Sequence, residues 1–433
     1  MKEKNAIIIG GGLLACSLSY HLLQKNYKIT IIETNDKIGG LAIPFFFDED
    51  LIECYYHFFY HNDSKLTLDF LKKNKIKYSV NWSEVSTDTF QDGKFINFDS
   101  ISSVFRISGI KFWKPILSLF SLMILKPSKK LDLVSARDWA KNKFGNAFCE
   151  FVWYPLLKNK FGENWDKVSA LWLATRIKRH LSTKVFFSGK SKFGYLINTY
   201  EPLLKKINGD INKNGGKIFT NETINKLNII DNKIKDIYTS KRKINVKDNS
   251  IVFSTIPLLN LKNIRPLQDK LPYLNIFKGI GAVVIVLKLK NKLSNSYWTT
   301  VTDRRIEFDA LIQQNRIYNN YSNEIVYLSR YYDSKNKIFN NDDNEILNLF
   351  LKGIKIMFPK FKNDQIINHK IFKVKTAAPI PYMNTYDYLP KFKSKIKNFY
   401  HAGYEHIYPE DRGVGNSINV GKKIYDEFQK NHI

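Results

Sequence analysis

The sequence predicts an α/β fold, in which a Rossmann-type nucleotide-binding domain is joined to a second, α+β domain. Three observations predict it. The opening stretch carries an apolar run, a glycine turn, a helix, a second apolar run and an acid, in that order. The chain has 433 residues, beyond the roughly 250–300 at which a single hydrophobic core stops growing. Its hydrophobic share of 44% and aromatic share of 14% can fill two cores, and no long stretch is polar enough to read as disorder.

Taken in order, Ala6-Ile7-Ile8-Ile9 reads as a parallel strand buried on both faces. Gly10-Gly11-Gly12 ends it, and Leu13 to Lys25 has helical periodicity at Leu14, Leu18, Leu22 and Leu23. Tyr27 to Ile32 is a second strand, closed by Glu33. In Gly10-x-Gly12-x-x-Ala15 each small residue has a task. Gly10 permits the tight turn, Gly12 lets a diphosphate approach the backbone, and Ala15 allows close packing of helix on strand. The first helical turn, with Leu13 and Leu14, then presents free N–H groups and a partial positive charge to the diphosphate. Glu33 stands where an acid accepts hydrogen bonds from a ribose. Asp36-Lys37-Ile38-Gly39-Gly40-Leu41 adds a second glycine pair, which a simple nicotinamide-binding unit does not need.

From Ile7 to Leu41 the chain resembles the FAD fingerprint of the amine oxidase, protoporphyrinogen oxidase and phytoene desaturase superfamily, in which a Gly-Gly pair after the acid lies along the cofactor. Many members carry Arg after that pair; here it is Leu41, as in several desaturase-like members. Further segments look like a bacterial branch of FAD-dependent oxidoreductases. They are Glu53 to Phe59, Trp153-Tyr154-Pro155-Leu156-Leu157, Lys160 to Glu163, Trp172 with Ala174, Arg176 and Ile177, Tyr297-Trp298, Ala402-Gly403 and Tyr408 to Gly413. The resemblance implies FAD as cofactor and a discontinuous FAD-binding domain at 1–105, 205–265 and 390–433. The substrate domain is then built from the inserts 106–204 and 266–389. Ile251 to Pro257 resembles the strand that leads back to the cofactor. Gly403, Asp411, Arg412 and Gly413 are expected to approach the FAD diphosphate and isoalloxazine, with a helix from about Asn416 presenting its N-terminus.

Two positions depart from that pattern. Ala310 to Asn315 carries Gln313 and Gln314 where relatives place a Glu, and Gln is neither acid nor base near neutrality. After Tyr195-Leu196 a customary glycine pair is replaced by Ile197-Asn198-Thr199, so another loop shape is expected there. Gly279-Ile280-Gly281-Ala282 is glycine-rich but leads into a strand, so it marks no second nucleotide site.

Flavin carries the redox chemistry itself, and the protein supplies a dry pocket with a few polar groups. His57, in the belt Tyr55-Tyr56-Phe58-Phe59-Tyr60, is either a proton-transfer group titrating near neutrality or a core histidine. Gln313, with Gln314 and Asn315, either orients a polar substrate group or makes ordinary strand-end hydrogen bonds. Arg412 either neutralises phosphate or reduced-flavin charge, or pairs with Asp411 or Glu410 at the surface.

The formal charge of +28 arises from lysines spread along the chain rather than clustered, so it names no partner and no nucleic acid is expected. Cys16, Cys54 and Cys149 lack metal or disulfide spacing. Met1 to Asn5 run straight into a strand, so a cytoplasmic protein is expected. The apolar run within 112–126 is too short to span a bilayer. It is expected to be a buried helix, with the alternative of peripheral contact with the inner face of a membrane. No residue pattern fixes an oligomeric state. The leading expectation is an FAD-dependent oxidase, dehydrogenase or desaturase moving a hydride from a hydrophobic, isoprenoid-like small molecule to flavin N5. The alternatives are a redox-neutral sugar-nucleotide mutase and a flavin-free lipid-escort protein, the latter at odds with the intact Gly10, Gly12, Glu33, Gly39 and Gly40.

Overall fold

The structure, a computed structural model, describes residues 3–60, 64–97, 128–182 and 190–431. The run at 112–126 expected to be a helix or a membrane contact lies outside the described residues.

The opening unit forms as β1 (Asn5–Ile9), α1 (Leu13–Leu23) and β2 (Lys28–Ile32). The chain leaves α1 through Asn26, whose φ of 58° supplies the left-handed turn that ends many helices. β3 (Ser79–Val85), β4 (Thr87–Gln91) and β5 (Lys94–Asn97) follow, then α2 (Tyr154–Phe161), α3 (Ala170–Leu181), β6 (Ser191–Ile197) and α4 (Glu201–Lys213). Next come β7 (Lys217–Phe219), β8 (Ser250–Ser254), β9 (Gly279–Leu289), β10 (Trp298–Val301), β11 (Ala310–Gln313) and β12 (Glu324–Asp333). The chain closes with α5 (Asp343–Met357), β13 (Ile366–Pro379), β14 (Phe399–His401) and α6 (Val414–Lys430).

One sheet has the order β7-β2-β1-β8-β14, with every pair parallel. β1 lies at its centre between β2 and β8, which is why Ile7, Ile8 and Ile9 are all apolar and all buried. The chain runs outward from β1 to β2 and β7, then returns to build β8 and β14 on the other side. The change of direction falls between β1 and β8, the crevice where open parallel sheets bind ligands. α1 and α6 cover one face with Leu14, Leu18, Leu22, Ile418, Ile424 and Phe428. Leu227, Leu258 and Leu261 pack with Ile7, Ile9 and Val252 on the other.

The second large sheet has the order β13-β9-β12-β11-β10-β4-β5. All eleven residues of β9 are buried, because β9 is paired on both edges and α5 packs Phe350, Ile354 and Met357 on Val283, Ile285 and Leu287. Gly279 and Gly281 sit in this strand and not in a phosphate turn, as read from the sequence. β3 pairs with β6, and β4 and β5 extend the second sheet. Residues 87–97, grouped by sequence with the first stretch, therefore join the seven-stranded sheet, while residues 79–85 pair with β6 in a separate small sheet. The helices around α2 and α3 gather Trp139, Phe144, Phe161, Trp172 and Leu173 against Ile280, Ala378 and Tyr408, so this cluster abuts the chain just before α6.

The three cysteines are free thiols. Among the described residues no helix is long and apolar enough to cross a membrane, and no group of three His, Cys, Asp or Glu side chains is placed to hold a metal ion.

Candidate functional site

At the C-terminal edge of the parallel sheet the backbone forms a cradle. Gly10 adopts φ +92°, and a Cβ there would stand 2.6 Å from Ile256 Cγ2, so a side chain is excluded both by conformation and by space. Gly12 is different. It is the N-cap of α1 with φ −70°, offers no side-chain cap, and a Cβ there would meet no protein atom within 4 Å. The first-turn N–H groups of Leu13, Leu14 and Ala15 thus begin a helix whose positive end faces open space beside a backbone without side chains. Ala15 is fully buried, which fits its expected packing role.

Glu33 is buried at the end of β2. One carboxylate oxygen accepts from Gly11 N at 2.6 Å, and the other accepts from Asn35 N and Nδ2, both at 2.8 Å. It therefore fixes the glycine turn, a task its expected ribose contact did not include. The oxygen on Gly11 N retains capacity for a further donor. The second glycine pair packs on the first. Gly39 N donates to Gly11 O at 2.7 Å, and a Cβ on Gly40 would lie 3.1 Å from Gly12 Cα. Leu41 follows in the single turn Gly40–Ala42.

A second uncapped helix begins at the same place. Gly413 is the N-cap of α6 in extended conformation. Ser17 Oγ donates to Ile418 O at 2.7 Å, a Cβ on Gly421 would lie 2.5 Å from Leu14 O, and His21 stacks on Tyr425. From Ser17–Ile418 through His21–Tyr425 to Tyr27–Phe428, just past the end of α1, the contacts advance along both sequences, so the helices run in the same direction and their N-termini lie at the same end. Two positive helix ends beside a glycine-lined crevice suit a dinucleotide diphosphate. At the end of β14, a Cβ on Gly403 would collide with Glu405 Oε2 and lie 3.0 Å from Leu258 N, so Gly403 is needed for packing.

The segment Asp411–Arg412 borders a cavity of about 350 Å³, walled largely by Phe161, Trp172, Phe277, Ile380 and Tyr408. Exposed Ile276 and Tyr388 also line it. Arg412 is not in a surface pair with Asp411 or Glu410. Its Nη1 donates to Ala377 O at 2.9 Å and its Nη2 to Tyr331 Oη at 2.7 Å. The Asp411 side chain instead accepts from Lys160 at 3.0 and 3.1 Å and from Arg176. Burial works against the Asp411 charge, but Lys160 and Arg176 outweigh it and hold the carboxyl well below its usual range. Burial pushes the Lys160 ammonium down to about 7, helped by Arg176 and Arg412 and opposed by Asp411. Burial also pushes the Glu405 carboxyl, on the same cavity, up to about 7.

For two side chains the structure favours one of the two roles left open by the sequence. Of the two readings of His57, a proton-transfer group titrating near neutrality or a core histidine, the second fits better: burial, and then the Arg412 charge, push His57 down to about 4. Its Nδ1 has no hydrogen-bond partner and its ring meets Tyr200 edge-on at 5.9 Å, so it is a neutral imidazole at physiological pH. For Gln313 the bonds fit the strand-end alternative. Its Oε1 accepts from Leu293 N and Ser294 N, both at 2.9 Å, and its Nε2 donates to Ser294 Oγ and Ser296 O, which exhausts its amide in bracing a loop. Asn315 likewise bonds Asn323 O and Ile325 N. The sequence reading cited Lys160, Trp172 and Arg176 only as marks of resemblance. Glu405 it missed altogether. The two cations at 160 and 176 were visible in the sequence, but their meeting at Asp411 was not.

The family model of flavin-containing amine oxidoreductases matches residues 17–410. Solved structures share the fold at low identity. An Exiguobacterium sp. 255-15 protein provisionally assigned as a protoporphyrinogen oxidase aligns with TM-score 0.77 and 14% identity, over 100% of both chains. Reduced UDP-galactopyranose mutase aligns with TM-score 0.74 and 14% identity, over 99% of this chain and 96% of that one. Putrescine oxidase bound to putrescine aligns with TM-score 0.71 and 11% identity, over 99% of both. None of the curated protein sequences matches the chain.

Proposed function

The chain belongs to the flavin-containing amine oxidoreductase family, and from that premise we propose that it oxidises a hydrophobic small molecule held in the cavity between Trp172 and Arg412. It is an FAD-dependent oxidoreductase. The chemistry FAD supplies when bound is two-electron oxidation, with hydride taken up at N5.

The residues that hold the cofactor in this reading are those of the cradle. The amides of Leu13, Leu14 and Ala15 and the bare backbone of Gly10, Gly12, Gly39, Gly40 and Leu41 take the diphosphate side, and the remaining acceptor capacity of Glu33 takes a ribose hydroxyl. Gly403, Asp411, Arg412 and Gly413 bound the flavin end. The observation that carries the fit is Gly12: an uncapped helix start beside open space serves no packing purpose, whereas Gly10 and Gly403 are required by the fold itself.

The cavity walls of Phe161, Trp172, Phe277 and Ile380 exclude water and favour an apolar substrate body, and exposed Ile276 and Tyr388 extend that surface outward. The neutral imidazole of His57 can accept a hydrogen bond but holds no proton to donate from a cationic form at neutral pH.

The visible spectrum of the purified protein tests this, together with identification of the released flavin and anaerobic bleaching by candidate substrates. Releasable FAD and stoichiometric bleaching are expected. A protein that takes up no flavin after reconstitution would sink the reading.

A further inference from the structure

Around the ammonium of Lys160 the chain assembles the parts of a receptor for an organic cation. Nζ lies 4.8 Å from the ring centroid of Trp172 and 5.6 Å from those of Phe161 and Tyr331. It donates to both carboxylate oxygens of Asp411, at 3.1 and 3.0 Å. Aromatic faces and a carboxylate are what hold an ammonium ion away from water. The parts come from α2, α3, β12 and the segment before α6, and the occupant is the chain's own cation.

The surroundings are then too positive to accept another. Arg176 binds Asp411 alongside Lys160, and Arg412 lies 5.5 Å from the Tyr331 ring centroid. Lys160, Arg176, Arg179 and Arg412 all act on the one Asp411 carboxylate. Of the other acids on the cavity, Glu410 is exposed, and Glu405 is a buried carboxyl whose Oε1 accepts from Leu259 N at 3.4 Å. An ammonium has three protons, and Asp411 takes two from Lys160.

Resting on the assignment of this cavity as the substrate pocket, we propose that it takes an amphipathic anion, a carboxylate or phosphate on an apolar body, seated at the Lys160–Arg412 end. It rejects amines because Lys160 occupies the place a substrate ammonium would fill. The apolar body lies along Phe161, Trp172 and Phe277, and the anionic oxygens receive the third Lys160 proton. Such an anion also offsets the charge excess that Arg176 and Arg412 impose on Lys160.

The test uses FAD-loaded protein whose flavin content is fixed beforehand from its spectrum, titrated calorimetrically with octanoate, octyl phosphate and octylamine at slightly acidic pH. Octanoate or octyl phosphate should bind at least about tenfold more tightly than octylamine, and whichever binds tells carboxylate from phosphate. Lys160→Met should weaken the anion by about tenfold or more, and Lys160→Arg, which keeps the charge, should retain it. Lys160→Ala empties the cage and should admit octylamine. Thermal melting checks that each variant is folded. Octylamine binding the unmodified protein as tightly as octanoate, or anion affinity unchanged in Lys160→Met, overturns the proposal. So does failure of all three probes to bind a fully flavinylated protein, a result that leaves the oxidoreductase reading in place. Absence of flavin would overturn that reading instead, and is read before any titration.

Discussion

The cofactor cradle and the charged end of the cavity are built on opposite principles. The cradle is made of backbone: glycines at 10, 12, 39 and 40, two helix starts and strand ends, tied by bonds such as Gly39 N to Gly11 O. The cavity end is made of side chains whose elements are remote in sequence, Lys160 meeting Asp411 across 251 positions. A backbone site must be encoded locally, because only certain residues permit its conformations. A side-chain site can be assembled from residues that look ordinary one at a time.

The sharpest test of the backbone region sets two glycines against each other. Gly10→Ala forces a side chain into φ +92° and against Ile256, and should cost about 2–4 kcal/mol of stability. Gly12→Ala adds a methyl at φ −70° where no protein atom lies within 4 Å. Its apoprotein should melt within about 0.5 kcal/mol of the unmodified one, while FAD affinity, followed by flavin fluorescence, falls by about 100-fold. If both variants lose stability alike, or Gly12→Ala binds FAD normally, the distinction between fold glycine and ligand glycine collapses.

That contrast also explains what the sequence disclosed. The strand, turn, helix and acid from Ala6 to Glu33 were legible because each element has a local signature, and so was the use of Gly279 and Gly281 in a strand. For His57 and Gln313 the sequence left two readings open, because residue type announces chemistry without announcing surroundings. The partners of Gln313 lie at 293–296, and nothing in its own neighbourhood says that its amide is already spent. Arg412 was picked out as a functional cation, yet Tyr331 and Ala377, which orient it, belong to another sheet.

The side-chain region should betray itself through pH. Lys160 is faced by Asp411 and Arg412 before α6, Arg176 on α3 and Tyr331 on β12. Burial sets its folded pKa near 7, below the ordinary lysine range. Above pH 7 the unfolded chain binds more protons at this residue than the folded one, so stability rises with pH until the unfolded lysine also titrates. Asp411 stays ionised throughout that window. Relative to Lys160→Met, the unmodified protein should therefore gain about 1–2 kcal/mol between about pH 7 and 9, allowing for solvent relaxation around the site. Parallel denaturation curves at the two pH values would show instead that Lys160 titrates as an ordinary surface lysine.

The smallest effect lies at the approach to α4, where Asn198 and Thr199 replace a customary glycine pair and another loop shape was expected. The loop has kept a glycine-like backbone: Asn198 adopts φ 69° and Thr199 φ 56°. Asn tolerates this region, but a β-branched residue does so under strain. Thr199 recovers part of the cost by accepting a hydrogen bond from Glu201 N at 3.3 Å. Releasing about 1–2 kcal/mol of strain, less the entropic cost of glycine and that weak bond, Thr199→Gly should stabilise the protein by about 0.5 kcal/mol. Because the cradle is bounded by other residues, FAD affinity should not change. A lower melting temperature would mean that the hydroxyl and its burial outweigh the strain, making Thr199 an alternative solution to the same turn.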